Sequence, residues 1–351
     1  QYTVVNPTQG TWCLDSGVNP ATGAACANRG TFVPSGPRGT TRDTRNGLAY
    51  NQTDLTSRFA TASIGHSLVA GVSFLHESYD LDNGNIQRYR NGTTPVYPPM
   101  SLADPDNTYA GPVNYIRSGR TAGTLDNQAV YLFDTLEFNP QWQLGLGARY
   151  ERNEGDTRTR ALNAAGNVTS DATFENSDNL FSYRAGLVYK PAENGSIYLS
   201  YSDSNTPSKA SVNGSCTVQT CEVDPETAVN IELGTKWNVL GDKLALTAAA
   251  FRNERQNYKV ADTGNPDNPS GMQQLDGQAR VDGVILGAAG RITHAWSVFA
   301  NYAFLDSEVL QSVSDFVKES TVIDAQAGNP LAHVREHSGS VWPTSALADS
   351  T

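Results

Sequence analysis

The chain has 351 residues, of which 38% are hydrophobic and only 17% charged; 31 Gly and 17 Pro contribute to the remainder. That composition excludes a coiled coil or helical bundle, and the formal charge of -11, with no Lys/Arg cluster, argues against nucleic acid as a partner. No apolar run is long enough for a transmembrane helix, but a membrane-spanning β-barrel stays open because its strands are only half apolar.

In chain order, period-2 alternation predicts strands over Leu48–Ala62, His66–Tyr79, Gly123–Phe138, Trp142–Arg152, Thr173–Lys190 and Ser196–Asp203. It continues over Pro225–Val239, Leu244–Asn257, Leu275–Ile292 and Trp296–Ser307; a last strand is placed within Leu331–Trp342, and a stub at Gln1–Asn6. Gln143–Glu151 is typical: Leu144, Leu146, Ala148 and Tyr150 oppose Gln143, Gly145, Gly147, Arg149 and Glu151. Successive side chains of a strand point to opposite faces, so such a segment is half buried. Helical periodicity is absent, and the predicted class is all-β.

The connections alternate. Tight turns at Ser63–His66, Asn139–Gln141, Pro191–Gly195, Leu240–Lys243 and Thr293–Ala295 interleave with long stretches such as Asp80–Ala122, Arg152–Ala172 and Ser204–Asp224. An outer-membrane barrel has this rhythm, with short periplasmic turns and long extracellular loops. Tyr150, Tyr189, Trp237 and Trp296 fall near strand ends, as aromatic girdles require. Cys13 and Cys26, and Cys216 and Cys221, cluster on the long-loop side, which favours two local disulfides in an oxidising compartment over reduced thiols.

Val223–Trp237 reads VDPETAVNIELGTKW and Arg280–Glu308 reads RVDGVILGAAGRITHAWSVFANYAFLDSE. Both resemble motif segments of TonB-dependent siderophore receptors, as do HSLVAGVSFLHE at His66–Glu77 and LAHVREHSGSVW at Leu331–Trp342. Departures are Ile285–Leu286, where the family has Glu, and Arg335, where it usually has Pro. The resemblance implies an antiparallel transmembrane β-barrel segment, about 11–12 strands of a roughly 22-stranded barrel. On this reading residues 1–342 are a partial barrel lacking the plug and both barrel ends, and 343–351 an atypical tail, foreign or frameshifted. Pro343 would interrupt a sheet ladder there.

The resemblance further implies a place in the bacterial outer membrane and no enzymatic role. It implies no cofactor, iron arriving only as a ferric siderophore, most fittingly a catecholate given the paired loop cysteines. The partners it implies are the siderophore, outer-membrane lipid, and the TonB complex engaged through the missing plug. The fragment by itself is not expected to transport. A ferric catecholate is a large anion with flat aromatic faces, so Arg and Tyr side chains are the fitting recognition chemistry. Asp80–Ala122 supplies Arg88, Tyr89, Arg90, Tyr97, Tyr109, Tyr115, Arg117 and Arg120, diluted by Asp82, Asp104 and Asp106. An ordinary exposed loop is the competing interpretation of that stretch.

His333-Val-Arg-Glu336-His337 matches an inverted zinc-peptidase pattern, but in the predicted strand the two His could not share a helix face, so no metal site is expected. The rival from another class is a secreted all-β hydrolase or carbohydrate-binding module, which would need a catalytic carboxylate pair or sugar-stacking loops. A passive porin would need neither a plug nor long disulfide-tied loops.

Overall fold

The computed structural model describes residues 11–345 apart from 20–21, 34–40, 87, 94, 96–98, 107, 109–110, 210, 214–220, 222, 261, 263, 267–273, 294 and 321–322. Its short strands are β1 (Thr11–Cys13), β2 (Thr31–Val33) and β5 (Met100–Ser101). The long ones begin with β3 (Thr41–Thr61), β4 (Ile64–Asn85), β6 (Ile116–Glu137), β7 (Trp142–Leu162), β8 (Val168–Ala192) and β9 (Gly195–Thr206). They continue with β10 (Glu226–Val239), β11 (Leu244–Val260), β12 (Gln274–Arg291), β13 (Trp296–Gln311) and β14 (His337–Ser345). Eleven strands form one sheet in the order β14-β13-β12-β11-β10-β9-β8-β7-β6-β4-β3, and β1-β2-β5 form a second. The antiparallel all-β expectation holds, and among the described residues no helix is long and apolar enough to cross a membrane, which says nothing of strands.

The short turns have local causes. Asn139 Oδ1 accepts from the N–H of Gln141 (2.9 Å) and of Trp142 (3.0 Å), closing the β6–β7 turn. Thr293 Oγ1 accepts from Ala295 and Trp296 in the same way between β12 and β13. Asn and Thr side chains mimic a backbone turn at such points. The β10–β11 turn takes Leu240, Gly241 and Asp242 through positive φ.

Facing residues confirm the alternation. Leu233 pairs with Leu199 and Trp237 with Gly195, while Gly234 pairs with Tyr198 and Glu232 with Ser200. Gly195 is required there, because a Cβ would stand 2.2 Å from the Trp237 ring. Leu132, Leu199 and Leu233 remain 50%, 51% and 55% exposed on the apolar face. An exposed apolar face of this kind is what a membrane-spanning barrel turns outward.

Several expectations are corrected. Asp80–Ala122 is not one loop: β4 runs on to Asn85 and β6 starts at Ile116. The expected loop through Ala172 is largely strand, since β7 and β8 extend to a five-residue turn in which Asn163 Oδ1 accepts from Ala165 and Asn167. A helix, α1 (Asp315–Glu319), was not foreseen; Ser314 caps it by accepting from Val317 N. His333 has φ 65 and precedes β14, so only His337 of the zinc-like pattern is in the strand. Pro343 does not break the ladder: it lies in β14 opposite Val298, and β14 ends the sheet, where Pro is tolerated. Gln1–Asn6 and residues 346–351 lie outside the described residues.

The chain divides into two compact units, Gln1–Asn46 with Tyr79–Gly123 and Arg158–Thr173, and Gly47–Ser78 with Thr124–Thr157 and Phe174–Thr351. In the first, Cys13 and Phe32 are buried in the short-strand sheet. In the second, Leu125, Ala129, Tyr131 and Leu180 are buried on β6 and β8, and Val260, Ala279, Val309 and Val317 toward the long-connection ends of β11–β13 and in α1.

Candidate functional site

Within the first unit, a disulfide between Cys13 and Cys26 ties the β1–β2 hairpin. Strand β2 pairs with β5 (Thr31 opposite Ser101, Phe32 opposite Met100), which fastens this lobe to the connection between β4 and β6. The sequence-predicted Arg/Tyr cluster lies on that connection and the strands flanking it. Tyr89 and Tyr115 are exposed, and Tyr89 opens a turn in which its N–H donates to Thr93 O. The carbonyl of Arg88 accepts from Asn114 Nδ2 at 2.7 Å, which holds the two limbs of the connection together. Arg90 is exposed and makes no ion pair among the described residues.

Arg117 and Arg120 are not loop residues; they stand on β6, paired with Asp82 (2.9 Å) and Asp80 (2.8 Å) of β4. Their charge is therefore largely answered within the protein, whereas Arg90 keeps its own. Tyr97 and Tyr109 lie outside the described residues. Sequence reasoning missed Arg158 and Arg160, which pair with Asp171 in the same unit; Arg158 does so through two bonds of 2.8 and 2.6 Å. That pair sits where a loop was expected.

The second unit carries a polar row across the sheet. Tyr131 takes a bond from Gln52 Nε2 (2.7 Å) and donates to Asp54, and Arg149 covers the Tyr131 ring at 5.6 Å while donating twice to Glu151. Asn127 donates to Glu151, and Asn153 to the carbonyl of Lys209 at 3.1 Å. Lys209 is 2% exposed; its ammonium donates to Thr157 Oγ1 at 2.6 Å and to Val212 O at 3.4 Å. Burial pulls the Lys209 amine below the ordinary lysine range, opposed in part by the charge of Asp156. The signal in the sequence was the polar parity of β7 running on past Glu151 through Asn153, Gly155 and Thr157.

Cys221 is disulfide-bonded, and its carbonyl accepts from Ser208 Oγ at 2.8 Å. Cys216 lies outside the described residues. Among the described residues no group of three or more His, Cys, Asp or Glu side chains is placed to hold a metal ion.

On the apolar face, Trp142 stacks on Tyr189 at the short-turn end, with Tyr150 and Phe181 further along the same strands. Each pair, Trp142 to Tyr150 and Phe181 to Tyr189, spans eight positions, about 27 Å along a strand at roughly 3.4 Å per residue. At a tilt of about 40° that is about 20 Å of membrane normal, near the height of an outer-membrane apolar band. Aromatics bound this band at both borders, and polar residues face the other way.

The sequence profile of the family described as "TonB dependent receptor-like, beta-barrel" matches residues 5–348. The chain belongs to the TonB-dependent receptor β-barrel family. It is 33% identical over 310 residues to the probable TonB-dependent receptor BfrD of Bordetella pertussis, covering 85% of this chain and 40% of that protein. It is 29% identical over 324 residues to the catecholate siderophore receptor Fiu of Escherichia coli, covering 86% and 40%. Among solved structures it matches the siderophore receptor PiuA of Acinetobacter baumannii (TM-score 0.72, 27% identity, 87% of this chain and 44% of that one). It also matches the closed form of Fiu from E. coli (TM-score 0.70, 26% identity, 88% and 43%). The chain thus spans about 40% of the length of the curated relatives it matches.

Membership makes the apolar face of the receptor sheet its lipid face, the polar face its lumen wall, and the outer membrane its location. The hydrolase and sugar-binding alternatives gain no support from these relatives.

Proposed function

We propose that the receptor to which this chain contributes binds a ferric siderophore of the catecholate class at its long-connection end and imports it with energy from the TonB complex. The observation that carries the reading is the family match together with about 30% identity to a catecholate siderophore receptor over most of the chain. The chemistry of the first unit supports it. Arg90 and the exposed rings of Tyr89 and Tyr115 offer positive charge and flat surfaces to an anionic, aromatic chelate, with Arg88 next to them in the chain. Tyr97 and Tyr109 belong to the same stretch of sequence and are proposed as further ring contacts.

The chelate is cargo, and its catecholate oxygens already fill the coordination sphere of iron, so the protein supplies recognition without ligating the metal. No resident cofactor and no catalytic step enter this reading. Lipid surrounds the apolar face, and coupling to TonB runs through a plug domain, as the family resemblance implies.

The test is binding of ferric tris-catecholate to the whole receptor in outer-membrane vesicles, against a ferric trihydroxamate control. Saturable binding of the first alone supports the class; equal binding of both, or of neither, rejects it.

A further inference from the structure

The long connection between β9 and β10 leaves the sheet at Pro207 and returns at Pro225, and its two described ends meet on the lumen wall. Ser208 donates its N–H to Asp178 Oδ2 (3.0 Å) and its hydroxyl to the carbonyl of Cys221 (2.8 Å). Asn176 Nδ2 donates to Asp178 (2.9 Å) and reaches the same Cys221 carbonyl (3.5 Å). Lys209 goes deepest, its ammonium on Thr157 and its carbonyl on Asn153. Gly155 makes the room: a Cβ there would stand 2.7 Å from Lys209 Cδ and 3.0 Å from Thr124 O.

A buried ammonium is costly unless its donors are satisfied, and a carboxylate is the usual partner. Lys209 has no carboxylate within ion-pair distance among the described residues; a hydroxyl and a carbonyl serve instead. Such a contact holds only while its acceptors are complete. Asn176, Asp178 and Asn153 are each at most 7% exposed, so water does not replace a lost partner easily.

We infer that Lys209 is a positioning residue, a releasable anchor that fixes the start of the β9–β10 connection to the lumen wall through the hydroxyl of Thr157. Loss of that hydroxyl leaves the Lys209 ammonium short of an acceptor, so the Lys209 side chain is released toward solvent while the sheet itself stays intact. Release of the start of the connection weakens cargo binding; this last step rests on the proposed function.

The chain supplies its own reporter, because Lys209 is the sole Lys or Arg in residues 207–225. Trypsin added to outer-membrane vesicles carrying the whole receptor can cut after Lys209 only when the anchor is released. The comparison is wild type, Thr157→Val, which keeps the shape and removes the acceptor, and Thr157→Ser, which restores a hydroxyl. Folding of each is checked by the heat-dependent shift of barrel mobility on a denaturing gel.

Cleavage after Lys209 is expected about tenfold faster in Thr157→Val, the size set by one hydrogen bond to a charged group, and near wild type in Thr157→Ser. Equal rates for Val and wild type, or equally fast rates for Val and Ser, overturn the anchor. The dissociation constant for ferric tris-catecholate is expected to rise at least about fivefold in Val and return in Ser. An unchanged constant overturns the positioning role. If wild type does not bind the complex at all, the proposed function fails while the cleavage contrast still decides the anchor.

Discussion

The rings of Trp142 and Tyr189 stack with centroids 4.5 Å apart, 47 positions apart in sequence and side by side at the short-turn border of the lipid face. Such a pair contributes about 0.5–1.5 kcal/mol beyond its area. Trp142→Ala is expected to lower the unfolding free energy in lipid vesicles by roughly 2 kcal/mol, the stacking loss plus lost apolar contact. A double-mutant cycle with Tyr189→Ala should return a coupling of about 1 kcal/mol. Zero coupling would mean that the rings merely lie near one another.

Leu199 and Ser200 are neighbours whose side chains point to opposite faces. Leu199→Arg puts a charge into lipid and should cost about 2–4 kcal/mol, whereas Ser200→Arg faces the lumen and should cost less than about 1 kcal/mol. Equilibrium unfolding in vesicles measures both. A reversed order would exchange the two faces.

Asp82 neutralises Arg117 in the first unit. Asp82→Asn is expected to free that guanidinium and tighten ferric tris-catecholate binding severalfold at low salt, with the gain shrinking at about 0.5 M salt as screening shortens. Arg90→Ala should weaken it. Titrations at two ionic strengths show both effects, and looser binding by Asp82→Asn would mean the pair is needed intact.

The connection between β13 and β14 turns on Asp324. Burial pushes its carboxyl up, but bonds from the Ser312 hydroxyl and N–H and from the N–H groups of Gln326 and Ala327 outweigh this and hold it below the ordinary aspartate value of 3.8. A carboxyl lowered by folding contributes stability that is fully present above the unfolded pKa and is lost as pH falls through the folded one. Amide protection of Ser312, Gln326 and Ala327, corrected for intrinsic exchange, should therefore hold from neutral pH to about 4 and fall below it. Protection that stays constant down to about pH 2 contradicts the assignment.

Gly155→Ala should loosen the receptor at one point, since the new methyl meets Lys209 Cδ and the Thr124 carbonyl. Overpacking of this kind costs about 1–3 kcal/mol. Trypsin should then cut after Lys209 faster than in wild type; a wild-type rate would show that the neighbours give way freely.

Where strands cross lipid, the sequence states the fold outright: Leu199 against Ser200, or Leu144 against Gln143, reports a face that lipid enforces. Beyond the aromatic borders both faces meet water or other polar groups, so alternation fades. That is why the outer ends of β4, β6, β7 and β8 read as loops although Arg117, Arg120 and Arg158 pair across them. The helix Asp315–Glu319 is too short to show a period. The Arg/Tyr stretch stands out in the sequence by composition, but the partners that decide which charges remain available, Asp80 and Asp82, could be assigned only from the strand pairing. Lys209 and Thr157 lie 52 positions apart, and nothing local in either marks the contact.

The most direct test of the receptor reading is uptake of radiolabelled iron by cells that lack their own catecholate receptors and express the whole receptor, with and without a functional TonB complex. Uptake from ferric tris-catecholate that requires both the receptor and TonB is the predicted result. Uptake that persists without TonB, or that is no greater than in cells without the receptor, contradicts it.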